Sequence, residues 1–393
     1  MLLVHKIELK VNNKQANYFA KACGVARFAY NWALDEWQKQ YKAGQKPNEI
    51  NLRKYLNSIK NEQFPWMLEV TKVAPQQAIK NLGTAFQRFF NHQGKHPKFK
   101  KKGIHDSFRA DNGPAKVGAD AVQIIDKKIN LSRIGWVRLK ERLRFTGQIK
   151  SVVISRRANR WYAAISVDTT ELNQVHKNQG IVGVDLGIKT LATLSTGEQI
   201  VGPRAHKQLL TRVRKYSKKL SRCRKGSKNY KKARLKLSKI HAKIRDIRID
   251  NLHKLTTDLA LRFNTIGIED LNIGGMVKNK KLARHIMDGS FYEFRRQLEY
   301  KAKWYGSTVV VVGRFYPSSK LCHCCNFINQ ELTLSDRQWQ CNNCNKLHDR
   351  DVNAAINIAN YTRHANMIVS TQSSCGIYAC GEKSAGAAVN TAA

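Results

Sequence analysis

Two Cys-x-x-Cys pairs, Cys322 with Cys325 and Cys341 with Cys344, stand 15 residues apart in "CHCCNFINQELTLSDRQWQCNNC". Four thiolates at that spacing suit a tetrahedral Zn²⁺ and predict a zinc ribbon over residues 318–347. Cys324 is an alternative donor for the first knuckle, and His323 or His348 could substitute, but each breaks the paired spacing. Nine cysteines could point instead to secreted disulfides; paired knuckles favour metal binding in a reducing compartment. Cys23, Cys223, Cys375 and Cys380 read as ordinary free thiols.

Charge limits the partners next. Lys and Arg number 70 against 28 Asp and Glu, a net charge of +42 whose self-repulsion calls for a polyanion. Nucleic acid fits. A membrane does not, because no run of 18 apolar residues occurs and "MLLVHKIELK" is too short and charged for a signal peptide. The expected location is cytosolic or nucleoid-associated. With 393 residues and 42% hydrophobic content, two or three domains can each fill a core.

Residues 3–11 alternate as a strand does, whereas 13 to about 105 place apolar residues at helical spacing and end in the basic loop "GKHPKFKKKG". From about 107 short alternating runs return, such as "KINLSR", "GWVRLKE" and "RWYAAISVDTT". The predicted arrangement is a β-barrel from 1–12 and 106–172, interrupted by a helical insertion at 13–105. A polar linker, "TTELNQVHKNQ", leads into an α/β domain from residue 180. There "GIVGVDLG" is an apolar strand ending in Asp185, and "FNTIGIEDLNI" is a strand ending in Glu269. Between them, residues 204–248 hold 19 Lys or Arg with Leu and Ile at helical intervals, the mark of a basic helical hairpin over 204–262; the whole-chain charge favours a phosphate-contacting surface, with a solvated helix pair the alternative. The small, polar stretch 371–393 is expected to be disordered.

Asp185 or Glu269 alone is as well explained by a turn acid, and an acid opening the helix of "HDRDVNAAINIAN" by the helix dipole. Together, two strand-end acids and one helix-start acid, Asp351, would gather oxygen ligands at one sheet edge. Hard oxygen donors suit Mg²⁺ or Mn²⁺, and two such ions about 4 Å apart activate water and stabilise a leaving phosphodiester oxygen. Asp349 precedes the periodic run Val352, Ala355, Ile356 and Ala359 and is predicted to be the helix N-cap, leaving Asp351 to face the other acids. "GIYACGEKS" imitates a phosphate loop, but Glu382 stands where its lysine belongs.

"GVDLGIKTLAT", "IGIEDLNI", the paired knuckles and "HDRDVNAAINIA", with "FAYNWAL" near the start, occur in an order and spacing that resemble the TnpB proteins of insertion sequences. The resemblance spans nearly the whole chain. It implies an RNase H-like (RuvC) nuclease domain at 180–317 and 348–370 with the zinc ribbon inserted, preceded by the wedge-like barrel and a helical recognition insertion. It also implies a metal-dependent endonuclease, guided by an RNA from the transposon end, that cuts double-stranded target DNA beside a short adjacent motif, with a monomer holding one RNA favoured. Matched by motif, Asp185, Glu269 and Asp351 take the catalytic positions, and Cys322, Cys325, Cys341 and Cys344 those of the zinc ligands. A DDE-type transposase and a non-cleaving DNA-binding regulator are the alternatives.

In that family the insertion and barrel face the adjacent motif, so Lys72, Gln76 and Gln77 of "TKVAPQQAIK" become candidates for contacting DNA, Gln being able to pair bidentately with adenine. Phe108 and Arg109 of "SFRADNG" are candidates to stack on or clamp a strand, with a core position the alternative for Phe108.

Overall fold

The computed structural model describes residues 1–111, 122–131, 133–169, 180–333 and 335–375, with backbone alone at 111 and 366–375. The predicted linker from 170 onward, the phosphate-loop imitation and residues 376–393 of the predicted tail lie outside them. Two compact units result: Met1–Leu172 with Tyr216–Ala242, and Asn173–Lys215 with Lys243–Ala393.

In the first unit, β1 (Leu2–Lys10) buries every second residue, Leu3, His5, Ile7 and Leu9, as a half-buried strand must. Asn12 then caps α1 (Asn13–Lys42): its side chain accepts from the Gln15 N–H, while Gln15 reaches back to the Asn12 N–H. Ala22, Ala26, Ala29 and Ala33 repeat down α1 at three- and four-residue steps, beside Phe19, Tyr30, Leu34 and Trp37. This face packs with α2 (Glu49–Gln63) and α3 (Val73–Phe90) into one core shared with the strands. The strands β2 (Ser107–Asp111), β3 (Gln123–Ile125), β4 (Lys128–Leu131), β5 (Gly135–Leu139), β6 (Gln148–Arg157) and β7 (Arg160–Asp168) complete an antiparallel sheet in the order β2-β6-β7-β1-β5-β4-β3. The first strand thus lies inside the sheet, and the helices fall between β1 and β2 in the chain. Closure is absent from the described pairings: β2 and β3 are edges, so the observed element is a seven-stranded open sheet instead of the expected barrel.

The second unit is built on a mixed sheet. β8 (Ile181–Asp185), β9 (Ala192–Leu194) and β10 (Gln199–Ile200) form an antiparallel meander. α4 (Ala205–Ser221) and α5 (Lys228–Arg262) follow, the predicted basic hairpin, whose tip over Tyr216–Ala242 is grouped with the first unit. β11 (Thr265–Glu269) pairs parallel with β8; after α6 (Ile273–Met276), α7 (Ala283–Gly289) and α8 (Phe291–Tyr305), β12 (Thr308–Val312) pairs parallel with β11. The sheet order is β10-β9-β8-β11-β12. A small ribbon of β13 (Gln338–Gln340) and β14 (Leu347–Asp349) runs directly into α9 (Arg350–Cys375), which packs across β8 and β11. Residues 371–375, predicted to be disordered, are the last turn of that helix.

Candidate active site and metal centre

Parallel pairing places Val184 opposite Ile268, so the next residue on each strand, Asp185 and Glu269, ends its strand at the same sheet edge. The third acid arrives on α9. Asp349 Oδ1 accepts the Asp351 and Val352 N–H groups, each at 3.0 Å, which is N-cap geometry and leaves the Asp351 side chain uncommitted to capping. A Cβ added to Gly183 of β8 would lie 2.0 Å from the Ala355 carbonyl oxygen and 2.5 Å from the Ala359 nitrogen. One added to Gly267 of β11 would lie 2.1 Å from Thr362 Oγ1. Helix backbone therefore rests on strand backbone, an approach only glycine permits. The buried stripe of α9 is Ala354, Ala355, Ile358, Ala359 and Thr362, with Asn353 and Asn357 beside it. Val352 and Ile356 are only half-buried, so the predicted face is rotated by about a residue.

The electrostatics agree with a cluster. Burial first, then the neighbouring Glu269 and Asp351 carboxylates, push the Asp185 carboxyl up to about 8, with Arg350 opposing. Such a site favours either a proton or a cation. Asp351 is also 3.6 Å from Arg337. Glu269 accepts a hydrogen bond from the buried Ser318 hydroxyl. Sequence reasoning missed Ser318, since nothing local marks a serine 49 residues from its partner. It also missed the clamp on that loop: Asn357 Nδ2 donates to the Ser318 and Leu321 carbonyls at 2.8 and 2.6 Å, and Asn353 Nδ2 to Leu321 O at 2.7 Å. Two asparagines at helical spacing inside an apolar run were the available signal. Asp270, next to Glu269, is drawn the other way; Arg314 and Arg295, 2.7 and 2.9 Å from it, hold its carboxyl below the usual range.

The four predicted cysteines converge, with all four Sγ atoms within 4.8 Å of one another. Cys322 and Cys341 are buried against Trp339 and Leu332. The Asn343 side chain and the Phe327 N–H pull the Cys325 thiol down to about 6, toward the thiolate a metal needs. His348 on β14 places Nε2 3.1 Å from Cys322 Sγ, so Cys322, Cys324 and His348 form a second convergent group around the same sulfur. The four-sulfur set uses both knuckles and fits a closed tetrahedral site.

The candidates for nucleic-acid contact scatter. Lys72 is exposed just before α3, and Gln76 and Gln77 are half-buried on it. Gln77 and Arg109 line one pocket with Arg27, Asn81 and Lys100, whereas Lys72 and Gln76 do not line it. Phe108 is 5% exposed, its ring 5.9 Å from Phe19 in the core, so the expectation that it stacks on a strand gives way to the core position.

These features define a class first: a multidomain α+β protein with the fold of a compact Cas12f effector. The chain is similar to the Cas12f1 chain of a Cas12f1–sgRNA–target DNA complex, with TM-score 0.55, 18% identity and coverage of 88% of this chain and 83% of that one. Within that class the chain belongs to the TnpB family. It is 36% identical over 352 residues to a Streptomyces pristinaespiralis protein named "Putative RNA-guided DNA endonuclease", covering 88% of this chain and 86% of that one. It is 31% identical over 374 residues to an Escherichia coli K12 protein of the same description, covering 91% of each. Family profiles described as "Probable transposase", "Cas12f1-like, TNB domain" and "Helix-turn-helix domain" match residues 164–280, 291–358 and 1–46. In this structure the last stretch is β1 and the unbroken α1.

Proposed function

We propose that this chain is an RNA-guided DNA endonuclease of a transposon. What supports the reading is that Asp185 and Glu269 end neighbouring parallel strands at one sheet edge, and that burial with the Glu269 and Asp351 charges pushes the Asp185 carboxyl up to about 8. The sheet order, with α9 laid across its parallel strands, supports an RNase H-like (RuvC) domain. The three carboxylates would hold Mg²⁺ or Mn²⁺, which when bound supply an activated water and neutralise the leaving oxygen of the phosphodiester. The residues themselves present oxygen donors from two strand ends and one helix start. Ser318 orients Glu269 by hydrogen bonding, and the Asn353 and Asn357 clamp keeps the Ser318 loop in place.

The same reading assigns structural Zn²⁺ to Cys322, Cys325, Cys341 and Cys344, and Cys341→Ser should lower bound zinc, by metal analysis, to well below one per chain. The open seven-stranded sheet with the helices α1–α3 would hold guide RNA and target DNA, with Gln77 and Arg109 the best-placed candidates for contacts and Lys72 and Gln76 more peripheral. A monomer with one RNA, acting at the nucleoid, completes the proposal; a strand-joining transposase and a non-cleaving regulator are the readings it displaces. Sequencing the RNA that co-purifies with the chain, then supplying a DNA matching it, tests all three. Cleavage should require the matching target and a divalent metal and disappear in Asp185→Ala. Equal cutting of unmatched DNA, or joined strands in place of cut ones, would overturn the assignment.

A further inference from the structure

Beside the acid cluster one side chain stands almost wholly in water. Phe315 is 94% exposed, three residues beyond Val312, the residue paired with Glu269. Isolated surface apolar residues are ordinary; this one differs in how its neighbours are held. Arg314 is fixed to Asp270 at 2.7 Å, and the Tyr316 ring lies 5.1 Å from Tyr361. The Tyr316 N–H donates to Gly313 O at 3.0 Å, the Ser318 N–H to Tyr316 O at 2.8 Å, and the Ser318 hydroxyl to Glu269. A tight turn, pinned on both sides of Phe315, thus presents an uncovered ring beside the acid edge. The adjoining pocket is lined by Glu269, Asp270, Tyr292, Arg295 and Arg314, and Tyr292 is itself 69% exposed. Fixed guanidinium groups with exposed aromatic rings are the surface that receives single-stranded nucleic acid, phosphate on cation and base on ring.

We infer that Phe315 is a substrate-positioning residue: the ring on which a base of single-stranded DNA stacks as its phosphodiester enters the acid cluster. The inference rests on the nuclease reading above. Arg314 lies next to it in the chain and takes the adjacent phosphate without leaving Asp270, since a guanidinium has donors on two edges.

The test uses the full chain with its guide RNA and a matched target. At saturating target, Phe315→Ala and Phe315→Leu should each slow cleavage about tenfold or more, while Phe315→Trp stays within about threefold of wild type. Target affinity by gel shift and the thermal midpoint should match wild type in all three. A second measurement needs no cleavage: wild type should quench a phosphorothioate single strand carrying 2-aminopurine, Phe315→Ala should not, and Phe315→Trp should restore the quenching. Wild-type cutting and quenching by Phe315→Ala or Phe315→Leu, or a loss that Phe315→Trp fails to restore, overturns the platform. If the wild-type complex does not cut at all, the nuclease reading fails separately and the quenching series alone decides the role of Phe315.

Discussion

Two aspartates two positions apart have different work. Asp349 spends its carboxylate on the backbone N–H groups of Asp351 and Val352, whereas Asp351 contributes its charge to Asp185. Asp351→Ala is therefore expected to abolish Mg²⁺-dependent cleavage while RNA and DNA still bind. Asp349→Ala should retain substantial cleavage and lose about 1 kcal/mol of stability, the value of a helix cap; a cleavage assay beside gel shift and thermal melting separates the two. Asp185 makes a pH prediction. Its folded pKa of about 8 lies above the ordinary 3.8, so between those values the native state binds a proton that the unfolded chain releases. In metal-free protein this group's contribution to stability is greatest below that window, falls as pH rises through it, and is fully lost above about 8. The thermal midpoint should drop between about pH 6 and about pH 8, and drop less in Asp185→Asn, which has nothing to ionise. Saturating Mg²⁺ should flatten the wild-type curve, because a cation replaces the proton.

Among the elements, the contact of α9 with β8 admits the least change. Gly183→Ala puts a methyl group 2.0 Å from the Ala355 carbonyl oxygen, and neither backbone can rotate away as a side chain could. Lifting the helix would cost about 1–3 kcal/mol or more and draw Asp351 away from Asp185. Melting temperature and cleavage should both fall, and Gly197→Ala, at a turn with nothing within 4 Å, should leave cleavage intact despite its positive φ. Which elements could be read in advance follows from range. The knuckle cysteines, the two strand-end acids and the Asp349 cap are encoded within a few residues, and each falls where its local pattern puts it. Ser318, Asn353, Asn357 and the pairing of Asp270 with Arg295 and Arg314 depend on contacts 25 to 49 residues apart, which no local period announces. Phe108 is polar-flanked in the sequence yet buried, because one face of the edge strand β2 packs against α1 and α3. The alternating runs gave the right strands without saying whether the last one meets the first, a property of twist and register.

For the whole molecule the decisive quantity is a net charge of +42. RNA-free protein carries that self-repulsion, so raising NaCl from about 0.05 to about 0.3 M should raise its melting temperature by screening. The RNA complex should respond in the opposite sense: its affinity falls steeply over the same range as counterions compete for the phosphates. Melting curves and filter binding across one salt series check both, and parallel slopes would show that the basic residues are spread without regard to RNA. No helix among the described residues is long and apolar enough to cross a membrane.

Asp349 belongs at once to β14, where it pairs with Gln338, and to the cap of α9. Strand and helix therefore meet with no spacer. Such a joint has no tolerance for length variation: one inserted residue between 349 and 351 turns the helix by about 100° and swings the acid off the sheet edge. The connection from 326 to 337 within the ribbon runs from Cys325 to the start of β13 and carries no such phase. Natural and engineered insertions should accumulate there and be excluded from the two-residue step beside it.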